Sequence, residues 1–424
     1  MRAGFAEVDI TPPLGTAKIG WLKEIIPKAV ADPLFARAAV FECGGQQIGF
    51  IQLDTLSVRW STVEEVRRRI TNQFGFPGER IMVSATHTHG GPAVANCGDV
   101  KRDENYLAFL RDSMVEAFGQ ALGAAAEAEI CLGRTVDFAI GHNRRLIMRD
   151  GTVCTHGTFA NPDALCFEGP IDPEVVVLAA RDTAGQMLGC LVNYACHPTH
   201  HGGDEFFSAG WPGVMAATLK KQGIPVAMFV NGAGGNVHTS NPVDPSASLD
   251  MDQAGRKLAE DVLQAVSEAE WRTNCRVSGR HTTVQLPYRK ATAQEIAGKV
   301  PGAQRFVDPE IYDRHMPALL GRIESRGTQP AEVQALSLDE FSFVSIPAEY
   351  FVQLGLRIKE ESYPRKAVVV AWANGMVGYV PHRQAFDRGG YETTFAASSR
   401  MAPEAGDILA DAAIELIRQE GREQ

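Results

Sequence analysis

The chain has 424 residues, 45% hydrophobic and 22% charged. That ordinary globular composition excludes a disordered or fibrous polymer and suits one large domain or two medium ones. A formal net charge of −10, with no lysine or arginine stripe, argues against nucleic acid as a partner. No apolar run approaches the roughly 18 residues of a membrane span, and the N-terminal residues lack a signal-peptide pattern.

Apolar β-type runs are expected at Ala38–Glu42, Ile48–Leu53, Ile81–Ala85, Val175–Ala180, Leu188–Ala195, Val226–Val230, Phe341–Ile346 and Ala367–Ala373. Several are continuous, which implies burial on both faces. Between them stand helical patterns. Ser61-x-x-Glu64 reads as a capping box that opens a helix through about Phe74. Asp103 reads as the cap of a helix whose Leu107, Leu110, Met114, Phe118 and Leu122 form one apolar stripe. Asp252–Glu268 and Ala405–Gln419 carry similar stripes, all read as core packing. This alternation predicts an α/β fold, with mixed β-sheets flanked by helices, built as a single domain over 1–424. Residues 290–327 differ: they are polar, weakly periodic and contain Pro301, Pro309 and Pro317. They read as a lid or an insertion on the surface. The eight cysteines are scattered with no CxxC pair, which fits reduced thiols in a cytoplasmic protein. Cys97 and Cys196 border the histidine segments and read as packing residues.

Chemistry-bearing residues collect where apolar runs end. Ile81–Ala85 leads into His87 and His89, which an extended backbone would point to one face. Leu188–Ala195 leads into His197, His200 and His201, and Val226–Val230 into Asn231, Asn236 and His238. Phe341–Ile346 leads into Glu349, and Ala367–Ala373 into Asn374 and Tyr379. Six of the eleven histidines fall in these turns, so the five turns are read as one site beyond the carboxyl ends of the strands. Imidazoles with a carboxylate suit zinc. Each residue also has a plainer reading. Glu349 would suit a helix N-terminus, Tyr379 a half-buried core position, and His200 and His201 a solvent-facing loop. Gly232–Gly235 lacks the Lys-Ser/Thr ending of a phosphate loop.

These segments resemble the neutral/alkaline non-lysosomal ceramidases. Ser84-Ala-Thr-His-Thr-His-Gly-Gly-Pro92 is similar to that family's THTHSGP motif. The likeness continues through Val8–Gly15, Asp32–Arg37, Leu53-Asp54, Gly141–Arg145, Asn193–Thr199, Ile346–Glu349, Gly378–Val380 and Gly390–Glu392. It implies the fold of the family's N-terminal catalytic domain and amide hydrolysis by a zinc-bound water. It places the zinc ligands on His87, His197, Glu349 and Tyr379, a substrate-facing histidine on His89, and a pocket-lining tyrosine on Tyr391.

The chain also departs from that pattern. Where the family has G-D-V-S-P-N, this sequence reads Gly235-Asn-Val-His-Thr-Ser240. His238 thus replaces the active-site serine and Asn236 the aspartate. Gly210 stands where an acidic residue is expected. The family's C-terminal immunoglobulin-like domain is not expected within these residues. The expectation is therefore a zinc hydrolase for an amide, ester or lactone of a small polar metabolite rather than ceramide. His89 or His238 would stabilise the oxyanion or move a proton, with Tyr391 beside them. A metal-dependent lyase or isomerase acting next to a carbonyl is the second reading, and a non-catalytic binding module with a vestigial site the third. A homo-oligomer is compatible with all three.

Overall fold

The computed structural model describes residues 1–422. Its main sheet has nine strands. In chain order these are β1 (Arg2–Asp9), β2 (Phe35–Cys43), β3 (Gln46–Leu53), β4 (Ile81–Ala85), β5 (Ala126–Val136), β6 (Glu174–Asp182), β7 (Met187–Tyr194) and β8 (Ala227–Asn231), with Trp271–Arg272 added beside β5. The order across the sheet is β8-β7-β6-β5-β1-β2-β3-β4. A second sheet contains β9 (Val277–Pro287), β10 (Thr328–Leu338), β11 (Phe341–Ile346) and β12 (Lys366–Ala371) in sequential order. Both sheets are mixed. The pairs β3–β4, β7–β8 and β11–β12 are parallel and the remaining ladders antiparallel.

The continuous apolar runs follow from burial on both faces. In β2, Ala36, Ala38 and Val40 pack outward under the helices α1 (Trp60–Phe74) and α2 (Glu104–Gly123), while Ala39 and Phe41 point inward to the second sheet. Helices α3 (Gly210–Lys221) and α4 (Met251–Ser267) cover the β5–β8 half. The two sheets meet through Phe41, Phe50, Met228, Phe343 and Val368. Helices α6 (Val352–Glu361) and α7 (Ala405–Arg422) close the far side of the second sheet, through Leu354, Ile358, Leu409 and Ile417. The layers run helix, sheet, sheet, helix. Buried amides stitch the sheets together. The Asn374 side chain accepts from Val83 N at 2.9 Å and donates to Glu332, Gln334 and Ser345.

Helix starts follow their caps. Asp103 accepts from the Asn105 and Tyr106 amides, as expected. Ser61 does not cap: α1 begins at Trp60 after Arg59, which places Ser61 inside the first turn. α4 begins after Asp250, which forms a reciprocal capping box with Gln253. Residues 290–327 hold an 18-residue helix, α5 (Pro309–Arg326), capped by Asp308 and tolerating Pro317 within it. All eight cysteines are free. No helix among the described residues is long and apolar enough to cross a membrane.

Candidate metal centre

Three parallel pairs end at one place. His87 and His89 follow β4, His197 follows β7, and Glu349 follows β11. The glycine run after β8 lets the backbones converge. A Cβ on Gly235 would stand 2.6 Å from the Glu349 carbonyl oxygen, and one on Gly234 would stand 2.8 Å from the Cys196 nitrogen. Asn231 ties the same turns together by donating to the Thr86 and Cys196 carbonyls at 3.1 and 3.0 Å.

His87 and His89 do not converge by strand alternation. β4 ends at Ala85, and His87 adopts φ 69°, a left-handed conformation that costs a non-glycine residue energy. The turn folds the two rings to a centroid separation of 4.8 Å at right angles. Asp32 supports it from behind by accepting from the Ser208 hydroxyl and the Ala209 amide, while Thr88 donates to the Ser208 carbonyl.

The tautomers follow from the partners. His87 Nδ1 faces the Leu56 carbonyl at 2.7 Å, His89 Nδ1 the Gly20 carbonyl at 2.8 Å, and His197 Nδ1 the Gly234 carbonyl at 2.6 Å. A carbonyl only accepts, so each Nδ1 carries the proton and each Nε2 presents a lone pair. These lone pairs converge. His89 Nε2 lies 3.2 Å from His87 Nε2, and Glu349 Oε2 lies 3.3 Å from both His87 and His197 Nε2. The three imidazole ligand atoms all fall within 4.8 Å of one another. A tetrahedral ion with arms of about 2.0–2.1 Å has edges of about 3.3–3.4 Å, so the set fits a small divalent cation. Without a cation the same lone pairs would repel. Burial holds His89 well below its usual pKa and, with Arg144 nearby, lowers His197 to about 4, which keeps both rings neutral and ready to ligate. Trp372 forms the floor, stacked 4.5 Å from His87 and edge-on to His197.

Other expected site residues stand differently. The Tyr379 ring lies parallel to His197 at 6.3 Å, and its hydroxyl accepts from Arg144 Nη2 at 3.1 Å. Burial and then the Glu349 charge push its phenol well above the usual range. Tyr391 lies edge-on to Tyr379 at 5.7 Å and stacks on Phe306 at 4.7 Å. His238 has both ring nitrogens engaged: Nδ1 accepts from the Ser240 amide at 2.9 Å, and Nε2 meets the Thr199 hydroxyl. His200 and His201 bind the Leu249 carbonyl and Asp204 and stay outside the cluster.

Arg144 is the residue of this cluster that sequence reasoning missed, although Gly141–Arg145 marked its segment. It is buried, donates to Glu392 at 2.8 Å and the Gly235 carbonyl at 2.9 Å, and orients Tyr379. Arg145 binds the other Glu392 oxygen at 2.6 Å.

No protein-family model matches the chain. The neutral ceramidase of Pseudomonas aeruginosa is 26% identical to it over 212 residues, which is 47% of this chain and 30% of that protein. The crystal structure of that enzyme superposes with a TM-score of 0.75 at 19% identity, covering 99% of this chain and 74% of its own. A ceramidase structure described as complexed with C2 gives a TM-score of 0.75 at 18% identity, with 99% and 75% covered. The chain thus has a neutral ceramidase-like fold over nearly its whole length. The matching sequence spans less than a third of the curated relative.

Proposed function

We propose that this neutral ceramidase-like chain is a single-domain, zinc-dependent hydrolase for an amide, ester or lactone. The observation that carries the reading is the convergence of three imidazole Nε2 atoms, two of them 3.3 Å from the Glu349 carboxylate, each ring locked by a backbone carbonyl. His87, His197 and Glu349 hold the metal. His89 joins them as a ligand, where the resemblance placed it on the substrate side. Tyr379, which the resemblance made a ligand, is placed on the substrate side in this reading, with its hydroxyl accepting from Arg144.

A bound divalent ion would supply Lewis acidity, polarising a carbonyl and letting water ionise near neutral pH. The chain's own groups do the rest. Tyr379 accepts from Arg144, so its own proton is left to donate to an oxygen that gains charge. Tyr391 narrows the approach beside it. His238 holds the Thr199 hydroxyl through Nε2 and the Ser240 amide through Nδ1. Unpaired thiols suit a reducing, cytoplasmic compartment.

Metal analysis of the purified protein should find one zinc per chain. His197→Ala, Glu349→Ala and His89→Ala should each lower occupancy about tenfold or more, whereas Tyr379→Phe should retain the metal and lose turnover. Full occupancy in both His197→Ala and Glu349→Ala would sink the reading. With a substrate in hand, hydrolysis requires oxygen-18 from solvent water in the product.

A further inference from the structure

Six rings form a circuit that begins and ends at His197. One arm runs from His197 to Tyr379, stacked at 6.3 Å, then to Tyr391, edge-on at 5.7 Å, and then to Phe306, stacked on Tyr391 at 4.7 Å. The other arm runs through the backbone bridge between His197 and His238. The His238 ring meets His156 edge-on at 4.8 Å, and His156 meets Phe306 at 5.8 Å. Hydrogen bonds tie the arms together: Thr155, beside His156, accepts from the Tyr391 amide at 3.1 Å.

Phe306 belongs to the segment expected to be a lid or an insertion, and that segment is docked. The Gln304 amide donates to the Thr394 hydroxyl at 2.8 Å, and the Gln304 side chain accepts from the Thr155 amide at 3.1 Å. The Gly390 amide donates to the Gly302 carbonyl at 2.7 Å. Phe306 is nonetheless 46% exposed. A lone exposed ring needs no explanation, but this one ends a line of rings that starts at a metal ligand. His156 is the second uncovered ring. It adopts φ 58°, a strained conformation for a residue other than glycine. It is exposed, and neither ring nitrogen has a hydrogen-bond partner among the described residues. Desolvation by the surrounding protein still lowers its pKa to about 3. A ring that solvent reaches and protein surrounds sits in a recess.

The recess offers no unpaired charge. Arg144 lies 5.7 Å from the Tyr379 ring centre, but its Nε and Nη2 protons go to Glu392, the Gly235 carbonyl and Tyr379. His238 Nδ1 accepts from an amide, so that ring is neutral. A cationic guest would meet Arg144, and an anionic one would find no free partner. Ring faces beside unused imidazole nitrogens suit a flat, uncharged ring with a hydrogen-bonding edge.

We propose that Phe306 and His156 determine specificity: Phe306 packs on an aromatic ring of the substrate, and a His156 ring nitrogen binds a polar atom at the edge of that ring. The substrate class is an uncharged aryl-alkyl ester or amide with a phenolic or heteroaromatic ring. Only the carbonyl end of this assignment rests on the hydrolase reading.

Methyl ketones carrying a phenyl or a cyclohexyl ring on one to four methylenes present a carbonyl and resist hydrolysis, so calorimetry on the zinc-loaded protein reads the recess without turnover. At the best chain length the phenyl ketone should bind about fivefold more tightly than the cyclohexyl ketone, the worth of one aromatic pair. A para-hydroxyl on the phenyl ring should add about fivefold, the worth of one hydrogen bond. Phe306→Leu keeps apolar bulk and should lose the phenyl preference. His156→Asn suits the left-handed backbone and should lose the hydroxyl gain while keeping the phenyl preference. Both side chains are exposed, so both variants should melt as the wild type does. Equal binding of phenyl and cyclohexyl ketones at every length, or a phenyl preference that survives Phe306→Leu, overturns the assignment of Phe306. A hydroxyl gain that survives His156→Asn overturns that of His156. Ethyl esters of the matching acids test the other reading separately: ketone preferences as expected, without turnover of any ester, would support the recess and count against the hydrolase.

Discussion

An imidazole whose Nδ1 proton is committed to a carbonyl can interact with the site only through its other nitrogen, and here three rings are committed in this way. Beside them, Glu392 is fully buried between Arg144 and Arg145. Burial disfavours its charge, but the two guanidinium groups outweigh that and lower its pKa from 4.5 to about 2. Removing the charge leaves two buried cations short of a partner, so Glu392→Gln should cost about 3–5 kcal/mol. Because the folded pKa is depressed, the stabilisation is complete above about pH 4.5 and is lost as pH falls toward 2. Urea denaturation of wild type and variant at neutral and acid pH should show the difference between them shrinking across that window. At this scale His87, His197 and Glu349 were legible in the sequence, because each follows an apolar run. That His89 meets His87 was expected from strand alternation, but the convergence arises from a turn instead, with His87 at φ 69°. Arg144 lies 235 residues from the Tyr379 hydroxyl it holds, a separation that local pattern does not reveal.

Among the elements, the turn after β4 depends on the loop that carries Gly20. Gly20 has φ +125°, and a Cβ there would stand 2.8 Å from the Cβ of His89. Gly20→Ala should therefore push the His89 ring off its carbonyl and weaken metal affinity about tenfold, with the far-ultraviolet circular dichroism unchanged. Unaltered affinity in a competition with a chromophoric chelator would show that His89 is not held this way. Runs buried on both faces, such as β3, β4, β7 and β11, were readable because nearly every residue is apolar. β9 was not, since its outward positions carry His281, Thr283 and Gln285. α5 was hidden by Pro309 and Pro317, which signal a break, although Pro309 occupies the first helical position where its missing N–H costs nothing.

For the whole molecule, the helix–sheet–sheet–helix layering gathers the carboxyl ends of parallel pairs from both sheets at one point. Alternating strand and helix patterns indicated the α/β class. The order of strands across each sheet was not accessible, because pairings such as β1 with β5 join distant segments. Binding energy at a point shared by both sheets adds to the stability of the whole. Zinc at about a hundred times its dissociation constant should stabilise the fold by about 2.7 kcal/mol. The melting temperature should fall on treatment with a chelator and recover on adding zinc. A melting temperature indifferent to metal would argue against the centre.

The His197–Glu349 contact spans 152 residues of sequence, and that span sets an order of events during synthesis. The β7 turn emerges from the ribosome long before its carboxylate partner exists. Until Glu349 is made and β11 has paired, a nascent chain offers the ion only neutral imidazoles, with no anion to balance its charge. Metal capture by the proposed centre would therefore be a late act of biogenesis, reserved for chains that have brought both sheets together, and a truncated product would be a poor competitor for the cell's metal.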